Sequence, residues 1–187
     1  MTLQKIVWAV RGIFYKASFG RFGNVSYIGK PTSLLGRKHI FIGDKVRIQP
    51  GIRMEAANGG SIIVRNNTSI GQNVHITADE EELEIGENTT ILGNSFITNI
   101  DHDYQRINVH IMDQERIVKT TKIGENCFIG FGACIQAGTI LGKQCIVGAN
   151  AVVRGSFPDY SVVVGVPARI VKQYDPTTKR WEKVKHD

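Results

Sequence analysis

Cysteine is scarce in this chain, with three in 187 residues, an odd number that argues against a disulfide framework or a cysteine-built metal site. Long apolar runs are missing as well. None approaches the length of a membrane span, and no hydrophobic segment leads into a small-residue cleavage site, so neither a spanning helix nor secretion is supported and the chain is read as cytoplasmic. Few aromatic residues interleave with the basic clusters, which removes the stacking platform that single-stranded nucleic acid needs. Nucleic acid is therefore not an expected partner, although a net charge of +6 favours anionic ones. That excess concentrates near the N-terminus (Lys5, Arg11, Lys16, Arg21, Lys30) and in the tail (Lys172, Lys179, Arg180, Lys183, Lys185).

What the chain does have is a period of six. From Ile123 an aliphatic residue recurs at Ile129, Ile135, Leu141, Val147 and Val153, usually followed by glycine (Gly124, Gly130, Gly142, Gly148). A small or apolar residue stands four places after each of the first five: Cys127, Ala133, Thr139, Cys145, Ala151. Neither helix nor hairpin has this repeat, whereas stacked coils of hexapeptides do. Glycine is expected to bend the chain at the corners, and two of the three cysteines become packed thiols near the axis.

Upstream, the same spacing comes in groups of three: Ile28, Leu34, Ile40; Ile42, Ile48, Met54; Val64, Ile70, Ile76; Ile85, Ile91, Ile97. Three strands per group predict a three-sided coil of 18 residues. The starts at 42, 64, 85 and 123 are separated by 22, 21 and 38 residues, so excesses of 4, 3 and 20 all follow a third strand and emerge at one corner. The first group is out of step, since Ile28 and Ile42 are only 14 apart. The largest excess, residues 101–120, is a protruding loop of a length usually reserved for function.

Residues 2–18 carry Leu3, Ile6, Val7, Val10, Ile13 and Phe14 at helical spacing, with Trp8 and Tyr15 widening the apolar face. This helix is expected to cap the first coil; the other reading is a basic amphipathic segment in peripheral contact with membrane. The expected organisation is an N-terminal helix over 1–22, a β-solenoid over 23–174 with the inserted loop, and a short basic tail over 175–187.

The repeats, the loop segment Ile100-Asp101-His102-Asp103-Tyr104 and the closing segment Val164-Gly165-Val166-Pro167-Ala168-Arg169-Ile170-Val171 resemble the hexapeptide acyltransferase superfamily, in particular its sugar O-acetyltransferases. The resemblance covers about residues 24–174. It implies an all-β solenoid, a left-handed parallel β-helix, that transfers an acetyl group from acetyl-CoA to a sugar hydroxyl, assembles as a homotrimer and needs no metal. A cell-surface polysaccharide precursor or small saccharide is the implied acceptor.

By the same resemblance His102 is the general base, a task suited to a side chain that titrates near neutral pH. Asp101 or Asp103 would orient its ring or contact the acceptor, and Tyr104 would either touch the sugar or anchor the loop. Asn73 falls where galactoside-type relatives carry an acceptor-binding asparagine, with His75 beside it. The implied coenzyme contacts are Phe128, Phe131, Gly132, Ala149, Arg154, Arg169 and Lys172, with a backbone N–H near Phe131 as oxyanion donor. Arg154-Gly155 stands where relatives commonly have Thr-Lys, so a lysine contact to the coenzyme 3′-phosphate is missing, and either Arg154 is its substitute or the phosphate is held elsewhere. Competing readings are N-acetylation of an amino sugar or nucleotide sugar, a zinc enzyme of the γ-carbonic anhydrase type using His75, His102 and His110, and a noncatalytic scaffold.

Overall fold

The computed structural model describes residues 3–184. Three parallel sheets form the sides of a prism, here called A, B and C in the order the chain visits them. Six full coils begin at Phe22, Ile42, Val64, Ile85, Ile123 and Leu141, and Phe157 with Val163 start a seventh. The aliphatic position of each hexapeptide points inward: Ile28, Ile48, Ile70, Ile91, Ile129 and Val147 stack on sheet B, each almost wholly removed from solvent. Each contributes roughly 1.5–3 kcal/mol relative to exposure. β-Branched side chains suit this role because they are stiff and pack well on a pleated surface.

The first coil differs from the sequence-based expectation. It consists of Phe22, Ile28 and Leu34, while Ile40 pairs with Ile62 as part of the second coil on sheet A. The starts of coils one and two are then 20 residues apart, in keeping with the others. Phe22 holds the inward position as an aromatic residue, which is why an aliphatic pattern passed over it.

Gly51 and Gly132 do turn corners, with φ of 82° and 69°, but the glycines that directly follow the aliphatic positions do a different job. Gly124, Gly130, Gly142 and Gly148 are not among the residues with positive φ. A Cβ on Gly130 would lie 2.5 Å from the Ala149 nitrogen, so glycine there permits close approach between coils. Turning is done largely by asparagine: Asn67, Asn88 and Asn126 repeat at the A–B corner, and Asn73, Asn94 and Asn150 at the B–C corner, all with φ between 54° and 59°. Asparagine tolerates this left-handed conformation because its short polar side chain bonds locally. The Asn67 amide donates to Asn88 Oδ1 at 2.8 Å, one step of such a ladder. Buried hydroxyls serve the same end near the axis, where Ser26 Oγ donates to the Gly43 carbonyl at 2.8 Å and accepts from the Val46 N–H at 2.9 Å. Cys127 and Cys145 are buried, each donating to a carbonyl at 3.2 Å, those of Gly142 and Pro158.

All three insertions leave at the C–A corner. The short ones are turns after Arg53–Ala57 and His75–Asp79, and the long one follows Phe96–Thr98. Beyond the last coil, Ser161–Gly165 is followed by Ala168–Asp175 and Arg180–Lys183, which pair antiparallel along the edge of sheet B. The segment expected to be a loose tail is thus an ordered edge through Lys183, while Lys185 and His186 lie outside the described residues. Helix α1 spans Leu3–Tyr15, shorter than expected, and turns Trp8 and Gly12 toward the first coil, where Trp8 stacks against Tyr27 with ring centroids 5.8 Å apart. The residues taken for its packing face (Leu3, Ile6, Val7, Val10, Ile13, Phe14) are exposed.

Candidate active site

Residues 100–118 form a folded arm. Ile100–His102 pairs antiparallel with Arg116–Val118, placing His102 opposite Arg116. Between them, buried Gln114 accepts from the Arg106 N–H at 3.0 Å and donates to the Arg106 and Val109 carbonyls. At the root of the arm, the Asn99 side chain accepts from the Asp79 N–H at 2.9 Å and donates to the Asp79 carbonyl at 3.0 Å. Arg116 Nη1 pairs with Asp79 Oδ2 at 2.5 Å, and the Asp79 side chain is only 1% exposed. These contacts bind the end of coil three to the arm that leaves coil four.

His102 is half-buried, and its Nδ1 is buried with no hydrogen-bond partner. Neither aspartate beside it orients the ring. Asp101 Oδ1 accepts the His102 backbone N–H at 3.1 Å, and Oδ2 pairs with Arg154. Asp103 Oδ1 accepts from the N–H groups of Tyr104 and Gln105. Burial pushes the Asp101 carboxyl upward, but hydrogen bonds from Arg154 and the His102 N–H outweigh it, leaving its pKa below the ordinary value. Tyr104 stands exposed on the arm.

His75 lies on the outer face of sheet C. Its Nε2 is 2.9 Å from Thr77 Oγ1 and 4.0 Å from Glu55 Oε2, and its ring meets Phe96 edge-on. Glu55 is held by Arg53 at 2.7 Å and by Ser33 at 3.2 Å. Burial, then the Arg53 charge, push the His75 pKa below its ordinary 6.5, with Glu55 opposing. The folded protein therefore binds this proton less readily than the unfolded chain, so stability falls as pH drops through about 6.5 and is retained above it. His75→Gln is expected to flatten the stability profile in the window just below pH 6.5, as read by urea melts across that range. Asn73, by contrast, is a corner residue with φ 55°, and its amide donates to Asn94 Oδ1 at 3.2 Å.

Most of the coenzyme candidates line the edge between sheets B and C. Phe128 lies half-exposed on sheet B; Phe131, Gly132 and Ala149 are corner residues; Arg169 and Lys172 follow on the antiparallel strand beside Val164 and Val162. At four stacked corner positions the N–H groups of Gln72, Gly93, Phe131 and Ala149 donate to no protein acceptor among the described residues. A row of outward amides beside small residues fits an extended amide-rich chain. Arg154 is the exception, since it stands at the opposite edge, bound to Asp101.

One chain therefore does not bring the two sets together. Sheet C separates the arm from the B–C corner, about six residues of extended chain from Gly132 to Gly138, or roughly 20 Å. Cavities of about 470 Å³ against sheet A and 630 Å³ beneath α1 contain none of the candidates. No group of three or more His, Cys, Asp or Glu among the described residues could hold a metal ion. His110, grouped with His75 and His102 in the zinc reading, instead accepts the Met112 N–H at 3.2 Å.

Sequence reasoning missed Asp79, Asn99, Gln114 and Arg116. Asp79 opens an acidic run, Asp-Glu-Glu-Glu, that reads as a solvated turn, and only its position beneath the arm marks it out.

The coils and the arm together define a hexapeptide acyltransferase, and comparison with known proteins agrees. The repeat family described as the hexapeptide repeat of succinyl-transferase matches residues 120–154. A protein of Escherichia coli K12 named for O-acetyl transfer in lipopolysaccharide biosynthesis, WbbJ, is 33% identical over 181 residues, spanning 93% of this chain and 91% of the relative. The chain belongs to the hexapeptide-repeat acyltransferase family. Among solved structures, the Bacillus cereus N-acyltransferase AntD, in complex with dTDP and 3-hydroxybutyryl-CoA, superposes with a TM-score of 0.76 at 20% identity, covering 90% of each chain. A maltose O-acetyltransferase from Clostridium difficile 630 gives 0.55 at 22% identity, covering 89% of this chain and 75% of that one. At these identities the structural likeness concerns the fold.

Proposed function

We propose that the protein is a cytoplasmic O-acetyltransferase that moves an acetyl group from acetyl-CoA to a sugar hydroxyl in surface-polysaccharide biosynthesis, with His102 as general base. Similarity over nearly the whole chain to a protein named for O-acetyl transfer in lipopolysaccharide biosynthesis carries this reading. As the acceptor oxygen attacks the thioester carbonyl, its proton passes to the imidazole; the carbon–sulfur bond then breaks, and the departing thiolate takes a proton. The Phe131 N–H is the oxyanion donor, since it makes no hydrogen bond of its own within the described residues. Phe128, Gly132 and Ala149 line the coenzyme's path along the corner amides, and Arg169 and Lys172 are the cations on that side for its phosphates. Arg154 does not join them within the chain; paired with Asp101, it braces the root of the arm.

The working unit is a homotrimer in which the arm of one subunit meets the B–C corner of its neighbour. The separation of the two sets of residues within one chain favours a site shared between copies. The glycan lies on the outer face of sheet C near Tyr104, His75 and Asp103.

A thiol-release assay with acetyl-CoA over simple sugars, amino sugars, nucleotide sugars and polysaccharide repeats tests the reading. The expected product is an ester, cleaved by mild base. A base-stable amide on an amino sugar would instead establish N-acetylation, the chemistry named for AntD. Binding of acetyl-CoA without transfer to any acceptor would leave only a scaffold.

A further inference from the structure

Helix α1 is mounted inside out for a cap. At 100° per residue, Trp8, Gly12 and Tyr15 form the side that meets the first coil, while Ile13, Ile6, Val10, Leu3, Phe14 and Val7 fill an arc of about 120° on the opposite side. Leu3 is 79% exposed, Phe14 76% and Ile13 65%. A surface helix normally turns its apolar stripe toward the core, and contiguous exposed patches of this kind mark interaction sites.

Beside the helix, Val25 is 83% exposed with φ 57°. The corresponding corner residues of the next coils are Lys45, Asn67, Asn88, Asn126 and Gln144. A β-branched residue is the costliest choice for this backbone, so an outward valine here favours an apolar partner. Val25 and Ile13 both line the groove of about 630 Å³ under α1, with Lys16, Lys45 and Arg47 around it.

The charge around this patch has one sign. Residues 1–43 contain seven Lys and Arg and no Asp or Glu, while the remaining 144 residues carry a net charge of −1. Lys5 and Lys16 bound one flank of the apolar arc and Arg11 the other. Apolar side chains bordered by cations match a lipid bilayer with anionic headgroups, into which the apolar side inserts while the cations reach phosphate. A second copy would meet the same positive field and be repelled. No helix among the described residues is long and apolar enough to cross a membrane, so the contact is with its surface.

We infer that the outward face of α1, together with Val25, is a docking surface for anionic membrane. The inference is independent of the reaction the protein catalyses. It is tested by floating the full-length protein with vesicles of phosphatidylcholine alone or of an equal mixture with phosphatidylglycerol. Tenfold or greater preference for the anionic vesicles is expected at low salt, declining as salt rises. The double variant Ile13→Asp/Phe14→Asp should lose at least tenfold in binding while keeping the wild-type melting profile, since both side chains face outward. Lys5→Gln and Lys16→Gln should each cost about fivefold. Failure of the wild type to float, or flotation unchanged in the aspartate variant, overturns the inference. So does a larger assembly that dissociates in that variant without vesicles, which would make the face a contact between copies.

Discussion

His102→Ala is expected to lower kcat by about 10²–10⁴-fold with the acceptor that the sugar screen yields, while leaving the unfolding transition in place. The two halves of this expectation have separate causes. Loss of turnover follows from removing the proposed proton acceptor from the arm. Preserved stability follows because His102 Nδ1 bonds to nothing and the ring is half-exposed, so truncation breaks no side-chain hydrogen bond. Only the backbone N–H to Asp101 remains, and alanine keeps it. The proposed sharing of the site between copies adds a second readout. Ala149→Trp, at an exposed corner position without positive φ, should also inactivate, by blocking the B–C corner rather than by removing a base. Refolding equal amounts of the two variants together should return activity in roughly a quarter of the sites, because a good arm then meets a good corner across some interfaces. Turnover of His102→Ala within a few-fold of wild type would sink the assignment, and no recovery on mixing would place arm and corner in the same subunit's site.

Arg116→Ala should destabilise the fold by about 3–5 kcal/mol, toward the lower end because the arginine is itself 46% exposed. The asymmetry of the pair sets the magnitude. Asp79 Oδ1 is already buried without a partner, and Arg116 supplies the bond to Oδ2, so its removal leaves a buried carboxylate with neither oxygen engaged by a side chain. Turnover should fall as well, since His102 sits opposite Arg116 and the arm loses its anchor to coil three. Replacing both residues, Asp79→Asn with Arg116→Ala, should recover most of the stability, because the buried charge is gone. Urea unfolding decides the matter; a change below about 0.5 kcal/mol for the single variant would show that the pair bears no structural load.

The coils were legible because their signal is local and repeated. A covalent spacing of six places every aliphatic residue at the same point of a side, so Ile123 through Val153 announce the stack without reference to any distant residue. The surplus of residues after each third strand likewise marked the corner where the arm leaves and where His102 stands. The reading slipped where the inward residue changed type, at Phe22. It also misassigned glycine, since the constraint on Gly130 is the Ala149 backbone of the next coil rather than its own turn.

The site was less legible. That residues 101–120 are the candidate place for chemistry followed from their length and position, but the partners of His102 did not follow from adjacency. Asp101 and Asp103 are its neighbours in the chain, and local hydrogen bonds and Arg154 claim both. Asp79, 23 residues earlier, is the carboxylate held beneath the arm. Similarly, the amphipathic period of α1 was plain, yet either of its faces could have met the coil. Trp8 and Gly12 won because the aromatic ring stacks on Tyr27 while Gly12 accommodates the Phe22 ring at a distance no Cβ would allow. Periodicity along the chain therefore determined the prism, its insertion corner and the place of the histidine, since each depends only on spacing. Which carboxylate is buried and which side of the helix faces outward were decided by packing between residues distant in sequence.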